Sequence, residues 1–197
     1  MIVKRIFDII FSFIGLIILS PFFLIISLII VFTSKGPVFF RQIRVGKNFK
    51  DFKMYKFRTM YLDSDKKGLL TIGGKDSRVT KAGYFLRKYK LDELPQLINV
   101  FTGNMSFVGP RPEVKKYVDL YNDEQKKVLT VKPGITDFAS IEYRNESELL
   151  AKSDNPEKTY IEEIMPVKLS LNLKYIQQSG LLTDIKIIFK TIIKINN

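Results

Sequence analysis

The chain has 197 residues and carries 32 Lys and Arg against 20 Asp and Glu, a formal charge of +12. Hydrophobic residues make up 46% and charged residues 26%, which excludes a disordered tail and a wholly membrane-embedded bundle. Cys, His and Trp are absent, so disulfides, thiol nucleophiles, the usual zinc sites and His-based triads are excluded. Any acid–base or covalent chemistry falls to Asp, Glu, Lys, Ser, Thr or Tyr. The length suits one domain with an appendage, and the positive excess points to an anionic partner: nucleic acid, acidic lipid or a phosphorylated small molecule.

From Ile9 to Phe32 runs an uncharged, mostly apolar stretch of 24 residues, preceded by Lys4, Arg5 and Asp8. As a helix it rises about 36 Å, enough to cross a hydrocarbon core of roughly 30 Å. It is too long for a cleaved signal peptide and lacks a small-residue cleavage site. A plain span is the simpler reading, but two features point away from it. Ser20-Pro21 lies at the centre, where Pro removes a backbone donor and Ser can bond the freed carbonyl. The flanks are basic on both sides, Lys4 and Arg5 before, Lys35, Arg41, Arg44 and Lys47 after, which places both ends on the cytoplasmic face. Residues 1–35 are thus expected to form a re-entrant hairpin broken at Ser20 and Pro21, and residues 36–197 a cytoplasmic domain.

Within that domain, Val38–Phe40 and Phe49–Phe57 read as a short strand pair joined through Arg44–Lys47. Asp63–Asp76, with Gly68, Gly73 and Gly74, reads as a mobile loop. Lys81–Lys88 and Leu94–Phe101 read as helices, the second stopped by Gly103. Ser106–Pro112 reads as an extended Gly/Pro loop, Glu113 to about Leu129 as a helix, and Pro133-Gly134 as a turn. Tyr160–Gly180 is expected to be mostly helical, with a break or helix start near Pro166. In the C-terminal helix, about residues 181–195, an apolar stripe (Leu181, Leu182, Ile185, Ile188, Phe189, Ile192) faces away from Lys186, Lys190 and Lys194. Such a helix can lie in an anionic membrane interface, or pack on the protein's own core with its Lys face solvated. The fold class is α/β, mostly helical with a small sheet.

Three constellations carry candidate chemistry. Asp92 and Glu93 stand at a helix start marked by Pro95, where capping and the helix dipole already give them a role. Arg78, Lys81, Arg87, Lys88 and Lys90 crowd the same stretch, and carboxylates so surrounded stay ionised, as a nucleophile or Mg²⁺ ligand must. Lys56 and Arg58 share one strand face, suited to phosphate oxygens or simply solvated, with Phe57 on the other face. Gly109-Pro110-Arg111-Pro112 holds Arg111 in an extended backbone, either to present it to a ligand or as a rigid surface loop.

In this order, and beside an apolar hairpin, these segments resemble the monotopic phosphoglycosyl transferases, the bacterial sugar transferase family. The matching text is Tyr55–Met60, Asp76–Thr80, Gly83–Lys88, Leu91–Val100, Gly103–Pro112 and Lys132–Thr136, and the resemblance covers nearly the whole chain. Asn104 stands where the family commonly has an acidic residue. Larger relatives carry an extra multi-span domain at the N-terminus, so the chain is expected to be a minimal catalytic form.

The resemblance implies transfer of a sugar-1-phosphate from a UDP-sugar to a polyprenyl phosphate at the cytoplasmic face of a bacterial inner membrane, with release of UMP. It implies Asp92 as the nucleophile that forms a covalent phosphosugar intermediate, Glu93 as a base or orienting group, and Mg²⁺ near Asp92. Lys56, Arg58, Arg78, Arg87, Arg111 and Arg144 are the candidates for the anionic pocket, with Pro110 and Pro112 framing Arg111 beside the nucleotide. Partners are then the UDP-sugar, the polyprenyl phosphate and membrane lipids, with no nucleic acid. A non-catalytic basic membrane-surface module and a UDP-releasing glycosyltransferase are the alternatives; the first leaves the Asp-Glu pair without a role.

Overall fold

In the computed structural model, which describes residues 2–64, 68, 70–73 and 76–196, the apolar run lies in one helix, α1 (Ile2–Thr33). Helical backbone continues through Ser20 and Pro21 instead of stopping there. Pro21 cannot donate to the Ile17 carbonyl four residues back, and the Ser20 hydroxyl takes over that carbonyl at 2.8 Å. Among the described residues α1 is the one helix long and apolar enough to cross a membrane.

Both ends of α1 are bound to the same body. Near its start, Lys4 reaches the Val108 carbonyl at 2.9 Å and pairs with Asp184, while Arg5 donates to the carbonyls of Val100 and Phe101 at 2.6 and 2.8 Å. Buried Asp8 accepts from the Ser106 hydroxyl and the Phe107 N–H, both at 3.1 Å. At the other end, Ile26 and Ile30 pack with Phe57 and Leu86. Between these anchors Phe13, Ile17, Ile18, Phe22, Leu24 and Ile25 are all exposed.

The chain then forms an antiparallel hairpin, β1 (Phe39–Val45) and β2 (Asp51–Phe57), in register from Phe39 opposite Phe57 to Val45 opposite Asp51. The first strand runs on through Arg44, which sequence reading had put in the connection. The turn needs only Gly46–Lys50, with Asn48 and Phe49 at φ of 54° and 60°. Of the predicted loop 63–76, residues 65–67, 69, 74 and 75 lie outside the described residues. Its closing strand segment returns to β2's end, where Thr80 N–H donates to the Thr59 carbonyl at 2.9 Å. Thr80 then caps α2 (Lys81–Lys88) by accepting from Gly83 N–H at 2.9 Å.

Lys90, at φ 57°, turns the chain into a 3₁₀ turn, Leu91–Glu93, that leads to α3 (Gln96–Thr102). Asp92 is therefore not the helix cap that its position suggested: Lys90 precedes the turn and Pro95 precedes α3. Gly103, at φ 91°, ends α3 as expected.

The expected Gly/Pro loop and Pro-Gly turn are instead partly a second sheet, β3 (Ser106–Val108) parallel to β4 (Gly134–Thr136). The cause is close approach: Cβ atoms on Gly109 or Gly134 would strike the other segment's backbone. The helix expected over 113–129 is broken into α4 (Lys115–Val118), α5 (Asp123–Lys126) and a 3₁₀ turn, Lys127–Thr130. Asn122 and Gln125 bond each other's backbone N–H at 2.9 Å, a capping box that starts a new helix.

The remainder is helical: α6 (Phe138–Glu142), α7 (Glu146–Ala151), α8 (Pro156–Thr159), a π turn (Tyr160–Ile164), α9 (Met165–Gln177) and α10 (Leu181–Asn196). Pro166, which lacks an N–H, lies in the first turn of α9, directly after the π turn where the hydrogen-bond register changes. The largest core joins Tyr117, Val128, Leu150, Tyr160, Ile164 and Leu169. α10 buries Asp184 and Ile187 against the body and leaves Leu182, Phe189, Ile192 and Ile193 exposed. It thus packs on the core through one face and keeps an open apolar face as well.

Candidate active site

Lys56, Glu93 and Arg111 come together from β2, the 3₁₀ turn and the loop after β3. Glu93 Oε1 accepts from Lys56 Nζ at 3.0 Å, and Arg111 binds both Glu93 oxygens, NH1 to Oε2 at 3.1 Å and NH2 to Oε1. Burial alone would raise the Glu93 carboxyl, but Arg111 and Lys56 outweigh it and hold it well below the usual carboxylate range. Glu93 is thus a fixed anion with both oxygens engaged. Burial lowers Lys56 from the ordinary lysine value, with Glu93 opposing.

Asp92 is different. It is 6% exposed, and its Oδ1 has no hydrogen-bond partner. Burial, and then the charge of Glu93, push its carboxyl above the usual range, against Lys56, Arg87 and Lys90. The cations were expected to keep it ionised; the burial that the sequence did not reveal works against them. Among the described residues no group of three or more acidic side chains is arranged to hold a metal. A Mg²⁺ would have Asp92 as its protein carboxylate, and an orphaned buried carboxylate oxygen fits that demand.

Arg87 lies under the same turn, its Nε bound to Thr59 Oγ1 at 2.9 Å and NH1 to Thr71 Oγ1 at 3.2 Å. Arg78 is committed to Asp76 at 2.6 Å and to the carbonyls of Gly68 and Leu70, so it organises the adjoining segment. Arg58 does not share a free strand face with Lys56. β2 ends at Phe57, and the buried Arg58 guanidinium closes the end of α1, bonding the Ser34 carbonyl at 2.8 Å and the Lys35 carbonyl.

The Gly-Pro-Arg-Pro loop is fixed through its backbone. The Pro110 carbonyl accepts from Gly134 N–H at 3.0 Å and the Pro112 carbonyl from Arg44 at 3.2 Å. Arg111 N–H donates to Asp137 Oδ2 at 3.1 Å, while Asp137 Oδ1 caps α6 through Ser140 N–H. Arg144 is half-buried in the turn between α6 and α7. The charge of Glu146, two residues on, is felt at Arg111 and raises it, after the larger effect of Glu93.

Sequence reading missed three supports. Asp137 is fully buried behind Arg111; its signal is an Asp just before a helix. Glu113 accepts from Arg44 at 2.7 Å and from the Tyr160 hydroxyl, both distant in the chain. Asn99 brackets the free edge of β2, accepting from Tyr55 N–H at 2.9 Å and donating to the Lys53 carbonyl at 2.8 Å.

Comparison with known proteins gives the chain its family. The bacterial sugar transferase family model matches residues 1–197, and the chain belongs to that family. A Klebsiella pneumoniae protein named UDP-glucose:undecaprenyl-phosphate glucose-1-phosphate transferase is 40% identical over 98% of this chain. The chain spans only 40% of that relative's length. An Aeromonas hydrophila UDP-N-acetylgalactosamine-undecaprenyl-phosphate N-acetylgalactosaminephosphotransferase is 36% identical over 96% of the chain and 43% of its own length. A Bacillus subtilis (strain 168) protein, uncharacterized sugar transferase EpsL, is 37% identical over 99% of the chain and 88% of its own length.

Proposed function

We propose that this chain transfers a sugar-1-phosphate from a UDP-sugar to undecaprenyl phosphate, releasing UMP, through a covalent phosphosugar on Asp92. The observation that carries the reading is the division between the two acidic neighbours: Glu93 is saturated by Lys56 and Arg111, while Asp92 keeps an unpartnered oxygen. Phosphoryl transfer asks for in-line geometry and neutralised equatorial oxygens more than for a strong base. An Asp92 oxygen forms a bond to the β-phosphorus as the bridging bond to the α-phosphate breaks, and the electron pair leaves on UMP. A phosphate oxygen of the lipid then displaces Asp92 from the same phosphorus. Lys56, Arg87 and Arg111 offset the charge of the diphosphate, with Glu93 setting the direction of Lys56 and Arg111. A Mg²⁺ held by Asp92 would supply further neutralisation of the transferring group. The relatives' names support the lipid acceptor and differ in the sugar.

We infer a re-entrant membrane arrangement, supported by how α1 is held. Both ends of α1 are tied to one body, by Lys4, Arg5 and Asp8 at one end and by Arg58 at the other, while its centre is exposed. A spanning helix would have to give up one set of ties. The catalytic body then lies on the cytoplasmic face of a bacterial inner membrane, with the open face of α10 in the interface.

The test is nucleotide release from purified protein given undecaprenyl phosphate, Mg²⁺ and a panel of UDP-sugars. Lipid-dependent UMP is the expected product. UDP would mean an ordinary glycosyltransferase, and neither nucleotide would favour a basic membrane-binding module.

A further inference from the structure

Asp92 lies in the 3₁₀ turn that leads into α3, and Gln96 and Asn99, three residues apart, share one face of the first turn of α3. All three are buried, at 6%, 0% and 0% exposure. Asn99 satisfies its amide on the free edge of β2. Gln96 satisfies nothing: neither its Nε2 nor its Oε1 has a partner, and the Asp92 Oδ1 in the turn just before it is unpartnered too. A buried primary amide without partners costs free energy that an apolar side chain of similar shape would avoid. Elsewhere among the described residues the unpartnered buried side-chain atoms occur singly, on Arg58, Ser140 and Asn172, whereas three fall between Asp92 and Gln96.

We propose that Gln96 is a further catalytic residue of this site, its Nε2 donating to a non-bridging oxygen of the phosphoryl group while that group moves onto Asp92. The inference rests on the transferase reading above. Gln96 takes no proton; the bonds made and broken are those of the Asp92 step, and the amide acts as a fixed dipole toward the charge that develops on the phosphoryl oxygens. Its position next after Pro95 fixes its backbone at the start of α3.

The experiment compares wild type with Gln96→Met in the whole chain. Melting temperature is measured without ligands. UMP release is measured with Mg²⁺, undecaprenyl phosphate and each of UDP-glucose, UDP-galactose, UDP-N-acetylglucosamine and UDP-N-acetylgalactosamine. The expected result is a melting temperature equal to or above wild type, with kcat down on the order of 100-fold and KM nearly unchanged. A fall of several degrees in melting temperature would show that the amide has a structural partner and would overturn the inference. So would unchanged kcat. A wild-type protein that releases UMP alongside a fully active variant refutes the role of Gln96 alone, whereas UDP release by wild type overturns the transferase reading and this inference with it.

Discussion

Arg111 grips Glu93 with both terminal nitrogens, NH1 on Oε2 at 3.1 Å and NH2 on Oε1, while Lys56 shares Oε1 at 3.0 Å. This leaves Glu93 no free oxygen toward a substrate and makes it the fixed point from which two cations are aimed. Removing one partner of such a buried pair costs about 3–5 kcal/mol, because the other charge is left uncompensated. Glu93→Gln is therefore expected to lower the melting temperature and to cut UMP release together. A variant with wild-type stability and reduced turnover would mean that Glu93 acts in the chemistry and not in holding Arg111 and Lys56.

Arg111→Lys keeps the charge but loses the planar two-point grip. Turnover is expected to fall on the order of tenfold to 100-fold, with KM for the UDP-sugar rising. Steady-state kinetics against the UDP-sugar checks this, and unchanged KM would place Arg111 away from the donor.

Acid should weaken the far side of the same loop. Burial works to raise Glu113, but Arg44, Lys168 and the Tyr160 hydroxyl prevail and hold it below its ordinary value of 4.5. A carboxyl depressed on folding adds stability above the unfolded value, and that stability is lost as pH falls through the lower folded value. Glu113→Gln is expected to melt well below wild type at pH 7, with the gap closing below pH 4.5. Melting curves across pH decide it; a constant gap would mean that Glu113 contributes only packing.

The topology of α1 is open to direct labelling, since the chain has no Cys. Cys introduced singly for Val3, exposed at the start of α1, and for Asp123, exposed on the catalytic body, should react from the same side of sealed vesicles. Labelling from opposite sides would mean that α1 spans and that its docking through Lys4 and Arg5 is absent in the membrane.

Local signals carried much of this structure. Gly103 after α3 and the change of helix near Pro166 act on their own neighbours, so sequence alone locates them. The Asn122–Gln125 capping box was equally local, but apolar spacing across 113–129 concealed it, and one helix was expected where three short pieces form. The parallel pairing of β3 with β4 joins segments far apart in the chain and depends on two glycines meeting, which no window of sequence displays. The same holds at the site. Asp92, Glu93, Lys56 and Arg111 could be named from residue type and order, but Arg58 looked alike until its partners at Ser34 and Lys35 were known. Asp137 and Glu113 went unnoticed because what they hold lies 26 and 69 residues away, at Arg111 and Arg44.

Whether Asp92 carries the phosphosugar is decided by giving the protein Mg²⁺ and a UDP-sugar with no lipid acceptor, then measuring UMP and the mass of the peptide that contains Asp92. Wild type is expected to give a burst of UMP close to one per chain and a phosphosugar adduct on Asp92, and Asp92→Asn neither. UMP that appears only when lipid phosphate is present, with no adduct on Asp92, would contradict this.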